Sequence, residues 1–260
     1  MTAILRMESR KRLRGSLILV GVFGLLSALY FSIFPSFGDD AEALAEAFPE
    51  PFFEFFGIDQ IHTIEGFIAA EVYSFFWVIL LGVYFAYICA GSIIRDIDSR
   101  KMDLTLSYPV SREGVIVQKM ASLWVPLVIL NTTVPLIVFV GARIIGESID
   151  PVALAMVHVL SIPYLLVCAA IGFVLSVSVT RVRSAQGAAI GGIVLLWLVD
   201  GFSRMDPDLD WIGYATPSRY FDETAILVHE EFAFGDAAIL LVAALIVFSI
   251  ATIRFVYRDI

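Results

Sequence analysis

Apolar residues fall into six long blocks, and polar residues collect in the gaps between them. The series opens with "SLILVGVFGLLSALYFSIF" from residue 16, and "FFWVILLGVYFAYICAGSII" and "WVPLVILNTTVPLIVFVG" belong to the next two blocks. Each block can cross a bilayer, which takes roughly 20 consecutive apolar residues as a helix. The pattern predicts helices at about 16–34, 66–94, 119–142, 152–179, 185–203 and 236–255. The second is too long for one upright crossing, so it should tilt or project beyond the membrane. No polar stretch is long enough for a second, soluble domain. Residues 1–260 therefore read as one transmembrane domain of an all-α, polytopic membrane protein with six transmembrane helices.

Basic residues set the expected sidedness. Arg6, Arg10, Lys11, Arg12 and Arg14 precede the first block, and Arg95, Arg100, Lys101, Arg112 and Lys119 follow the second. Arg181 and Arg183 follow the fourth, and Arg254 and Arg258 close the chain, whereas the alternate gaps hold only Arg143, Arg204 and Arg219. Lys and Arg mark the cytoplasmic face, so both termini and the loop at 95–118 are expected to be cytoplasmic. The run from Arg10 to Arg14 before an apolar block resembles a secretory signal. That block continues to Phe34 without a small-residue cleavage site, so the first helix is expected to be retained. Residues 2–14 are expected to form a short basic helix at the interface, with Ile4, Leu5 and Leu13 towards lipid. Pro35, Pro49 and Pro51 should break the next gap, where "EALAEAF" is expected to form a short helix.

Composition agrees with this reading. The chain is 59% hydrophobic and 17% charged, against about 25% charged in soluble domains. Its mean hydropathy is +0.88. The formal net charge of −9, with only three lysines, suits a salt-rich milieu. The acids of the far gaps, Asp39, Asp40 and Glu42 among them, fit a solvated surface better than a cation site. Nucleic-acid binding is disfavoured because no basic face exists beyond the short loops. Cys89 and Cys168 lie in apolar blocks and read as small buried hydrophobes.

Chemistry is sparse. A P-loop needs Gly-Lys before Ser or Thr, but the three lysines follow Arg10, Arg100 and Gln118. His62, His158 and His229 have no ligand spacing. His158, within the fourth block, is expected to hydrogen-bond between helices rather than relay protons. "NTT" at 131–133 reads the same way, and "GAAIG" at 187–191 is a small-residue pattern allowing close helix approach.

The loop at 95–118 is charged yet patterned. Asp98 or Ser99 can cap a helix, and Tyr108 before Pro109 should end it near Ser107. Met102 and Leu106 then share a face, with Leu104 and Thr105 beside it. Such a helix can dock in a partner's groove or lie on lipid.

"LTLSYPVSREGVIVQK" at 104–119 resembles the first cytoplasmic loop of permeases of the type-two ABC exporter class, through Ser107, Pro109, Val110, Ser111, Arg112 and Lys119. "TPSRYFD" at 216–222 and "FVYRDI" at 255–260 resemble segments of the same class before and after the last span. Where the family often has Gly-Thr-Leu, this chain has Arg100-Lys101-Met102. The resemblance implies a coupling helix that carries ATPase closure into the membrane, with Met102, Leu104, Leu106, Tyr108, Pro109 and Arg112 at the contact. It implies a multi-pass permease of the cell membrane that works as a homodimer or heterodimer in the lipid bilayer with a separate ABC-type ATPase. It also implies no cofactor in this chain, since the ATPase would bind ATP and Mg. A secondary carrier and an intramembrane enzyme are the competing classes, but ionisable residues within the blocks are scarce for either.

Overall fold

The computed structural model describes residues 3–37 and 49–259, so the helix expected from "EALAEAF" lies outside the described residues. The described residues are largely helical, without strands. Among the described residues, six helices are long and apolar enough to cross a membrane: Ala3–Ser36, Ile64–Asp98, Arg112–Ile144, Pro151–Ser178, Val182–Arg204 and Phe234–Val256.

The first helix, α1, runs unbroken from Ala3 to Phe37 and includes Pro35. The separate interfacial helix expected at 2–14 is therefore not formed. The reason is a continuous buried stripe of Glu8, Arg12, Ser16, Leu19, Phe23, Ser27, Phe31 and Phe34, spaced three or four residues apart. That spacing is one helical face. Its first turns are polar and its later turns apolar, but all of it packs inwards.

After α2 (Glu50–Phe56), the second span is assembled from pieces. It comprises α3 (Ile64–Ile68), a π-helical stretch (Ala69–Leu81), α4 (Gly82–Ala90) and, after a turn at 91–93, α5 (Ile94–Asp98). Breaking a helix frees backbone amides, which need acceptors when buried. Ser176 Oγ accepts from both Ile93 N (3.0 Å) and Ile94 N (3.2 Å).

Two short helices follow, α6 (Lys101–Leu106) and α7 (Arg112–Ala121). The remaining spans are α8 (Trp124–Ile144), α9 (Pro151–Ser178), α10 (Val182–Arg204) and α13 (Phe234–Val256). Before α13 come α11 (Asp210–Gly213) and α12 (Glu223–Val228). The second and fourth spans are the most buried and form the centre of the bundle. At their contact a Cβ on Gly172 would lie 2.2 Å from the Ala86 carbonyl oxygen, so only glycine permits that approach. Tyr164 donates to Val78 O at 3.0 Å within the same interface. Cys89 and Cys168 are buried free thiols.

The segment between α10 and α13 folds onto one end of the bundle. Phe221 is buried and stacks on Tyr164, with ring centroids 6.0 Å apart. Thr224 donates to Gly57 O at 2.8 Å, and Ser74 donates to Glu223. The described N- and C-terminal residues both pack on the 112–122 segment at the other end, where Arg12 reaches Ser122 and Arg112 reaches Arg258.

Candidate coupling site at the basic end

Helix α6 begins after a tight turn. Arg100 occupies its N-cap with φ 56°, and no side chain caps it. The cap therefore falls on neither Asp98 nor Ser99. Asp98 is the last residue of α5, and Arg100 N bonds back to Ile97 O at 2.9 Å, which moves the start of α6 along the chain. Its end matches expectation, with Ser107 as C-cap ahead of Tyr108 and Pro109. Ser111 then caps α7, its Oγ accepting from Gly114 N at 3.0 Å.

The six residues assigned to coupling divide into two groups. Met102 is 1% exposed and belongs to the chain's own core, and Leu106 packs partly against that core. Leu104 and Tyr108 are 68% and 70% exposed, and Pro109 is exposed beside them. Helix α6 thus grips its own bundle with one side, while Leu104 and, just past its end, Tyr108 and Pro109 are left exposed.

Arg112 also turns inwards. Its Nη1 donates to the carbonyls of Phe255 (3.3 Å), Val256 (3.0 Å) and Arg258 at the C-terminal end of α13. Carbonyls in the last turn of a helix lack intrahelical partners, although Phe255 O also accepts from Arg258 N at 3.4 Å, and a cation there meets the negative end of the helix dipole. Arg258 in turn donates to Ser176 O (3.3 Å) and Val179 O (3.2 Å) at the end of α9. The turn after α6 is thereby linked through two arginines to the ends of the sixth and fourth spans.

Lys119 ties together the other side of this end. Its side chain is 3% exposed, and its Nζ lies 2.7 Å from Asp96 Oδ2 and 3.3 Å from Glu8 Oε1. It also donates to Ser92 O at 3.1 Å. Arg12 donates to Ser122 Oγ at 2.6 Å. A buried lysine requires such compensation, because an unpaired charge is costly away from water. The sequence offered Lys119 only as part of a motif. Its two acids come from positions 111 residues before it and 23 residues before it, with no local signal joining them.

Elsewhere, His158 bonds Tyr73 between spans as expected, Nε2 to OH at 2.9 Å. Ser161 donates to Asn131 at 3.3 Å across α9 and α8. The two glycines of "GAAIG" do not bring helices together within the chain, because a Cβ on Gly187 or Gly191 would meet nothing within 4 Å, whereas Ala189 between them is buried in the core.

A family model described as ABC-2 family transporter protein matches residues 2–260. The chain belongs to the ABC-2 transporter family. No curated protein matches it in sequence. An ABC-2 permease is the membrane subunit of an ABC transporter, a multi-pass membrane protein that is not itself catalytic. In this ABC-2 permease the resemblance of the 104–119 segment coincides with the two-sided helix and the arginine that closes α13.

Proposed function

We propose that this permease is driven by a separate ABC-type ATPase that docks on α6 and the turn after it, and that the assembly exports its substrate. The carrying observation is the division of the loop. Met102 and Arg112 fix it to the bundle, while Leu104, Tyr108 and Pro109 face away from it and outside every span. A lever needs both properties. The basic residues around it favour a cytoplasmic location, where an ATPase is found. Two permeases and two ATPases form the working unit, and ATP and Mg belong to the ATPase. Residues 1–260 act as one permease domain.

The test is co-purification with the ATPase encoded beside the permease. Leu104→Asp places a carboxylate in an apolar contact, at a cost on the order of 2 kcal/mol or more. That corresponds to about 30-fold weaker retention. Tyr108→Ala should act in the same direction, and thermal stability of the permease alone should be unchanged for both. By contrast Met102→Ala should destabilise the permease itself by about 2–5 kcal/mol, as buried Met deletions do. Full retention and full transport-linked hydrolysis in Leu104→Asp would rule out docking on this face.

A further inference from the structure

At the basic end, the start of α1, the junction of α4 and α5, α7 and the start of α10 enclose a cavity of about 280 Å³. Gln186 and Arg95 both face the wall formed by Gly91. A Cβ at Gly91 would lie 2.7 Å from Gln186 Nε2 and 3.1 Å from Arg95 Nη2, so two donors converge on the space above this glycine. Gln186 is 8% exposed, and its Nε2 has no hydrogen-bond partner among the described residues. A buried amide donor without an acceptor is unusual and costly. Arg95 forms no ion pair among the described residues.

The charges around the cavity do not cancel. Lys11, Arg12, Arg95 and Lys119 line it, against only Glu8 and Asp96. Both acids are already engaged by lysine: Glu8 by Lys11 at 2.7 Å and Lys119, Asp96 by Lys119. Two positive charges are left over, and one sits on Arg95 beside the unpartnered amide. A ligand complementary to this pair is anionic and carries several acceptor oxygens. Phosphate has that chemistry, and guanidinium is the side chain best suited to it. The remaining wall includes Tyr84, Tyr87 and Ile88, of which Tyr87 is 39% exposed. Tyrosines at this level are characteristic of the headgroup boundary. The volume is slightly below the range of pockets that enclose whole drug-sized ligands, which suits a headgroup whose chains remain in the bilayer.

We infer that this cavity is a binding site for an anionic phospholipid, with its phosphate held by Arg95 and Gln186 across Gly91. The site lies apart from the exposed face of α6 and does not depend on ATPase docking there.

The experiment uses the full-length permease, delipidated in detergent, with phosphatidylglycerol, phosphatidylcholine or inorganic phosphate added separately. Bound lipid is read by native mass spectrometry and stability by thermal unfolding. Phosphatidylglycerol should be retained at concentrations about tenfold lower than phosphatidylcholine, as expected for a charge-assisted contact. Arg95→Gln should remove most of that preference, and Gln186→Leu and Gly91→Ala should each weaken retention of phosphatidylglycerol about tenfold. Arg183→Gln, an exposed basic residue outside the cavity, should leave it intact. Arg95 is exposed, so its replacement tests the site even if Gly91→Ala misfolds. Equal retention of the two lipids, or undiminished retention of phosphatidylglycerol in both Gln186→Leu and Arg95→Gln, would refute the site. Stabilisation by inorganic phosphate alone, abolished by the same variants, would refute the lipid assignment.

Discussion

Arg112 Nη1 donates to Val256 O at 3.0 Å, so the turn after α6 closes the carbonyl end of the last span. The same nitrogen also lies within hydrogen-bond reach of Phe255 O and Arg258 O, so its two N–H groups are shared among three carbonyls. Arg112→Ala should lower permease stability by about 1.5–3 kcal/mol, the range for hydrogen bonds to charged groups. Arg112→Lys should recover only part of this, because an ammonium lacks the planar fork. Denaturant unfolding in detergent measures both. Unchanged stability in Arg112→Ala would show that the three contacts contribute nothing net.

Lys119 is predicted to be among the most sensitive polar positions. Lys119→Met leaves Asp96 without its cation in a largely buried site and leaves Glu8 with Lys11 alone. Breaking a buried ion pair by removing one partner costs about 3–5 kcal/mol. Expression level and thermal midpoint should both fall. The double change with Asp96→Asn should recover a substantial part, because it also removes the stranded charge.

Glu223 gives the opposite end a defined pH response. Burial, reinforced by the Asp222 charge, pushes its carboxyl up from the ordinary 4.5 to about 7, against the opposing effects of Ser74 and Arg204. Between those values the folded protein binds more protons at this site than the unfolded chain. Stability contributed by Glu223 is therefore complete below pH 4.5 and falls as pH rises through about 7. Thermal midpoints of the wild type and Glu223→Gln should diverge across this window, with the glutamine variant flatter. Parallel curves would show that the carboxyl does not titrate there.

Sidedness is testable with two exposed serines. Ser36 follows the first span and Ser99 precedes α6. Cysteines at these positions, in a background lacking Cys89 and Cys168, should label differently with an impermeant thiol reagent on intact cells. Position 36 should react and position 99 should not. Equal labelling would contradict the orientation read from the basic residues.

Much of the molecule could be read from local pattern. The six apolar blocks match the six spans because hydrocarbon compatibility is a property of each segment alone. The end of α6 was legible from Tyr108-Pro109, a restriction acting between neighbouring residues. The N-terminal extension of α1 was not, because Glu8 and Arg12 look like surface residues until Lys119 and Ser122 meet them. Nor did the coupling residues reveal their division. Met102 and Leu104 are both apolar and two positions apart, and only the packing of α6 on the bundle buries one and exposes the other.

The sequence by itself determined the number of spans and the all-helical class, which follow from free energies of transfer summed over one short segment, and the expected sidedness, which follows from the count of Lys and Arg in each gap. The tertiary structure decided where the π-helical winding falls, which charges are neutralised and which remain free. It placed Arg112 on Val256 and Arg258, and brought Gln186 and Arg95 together above Gly91. These are contacts between residues far apart in the chain. Their energies depend on distance and burial, which no segment possesses until its neighbours are in place.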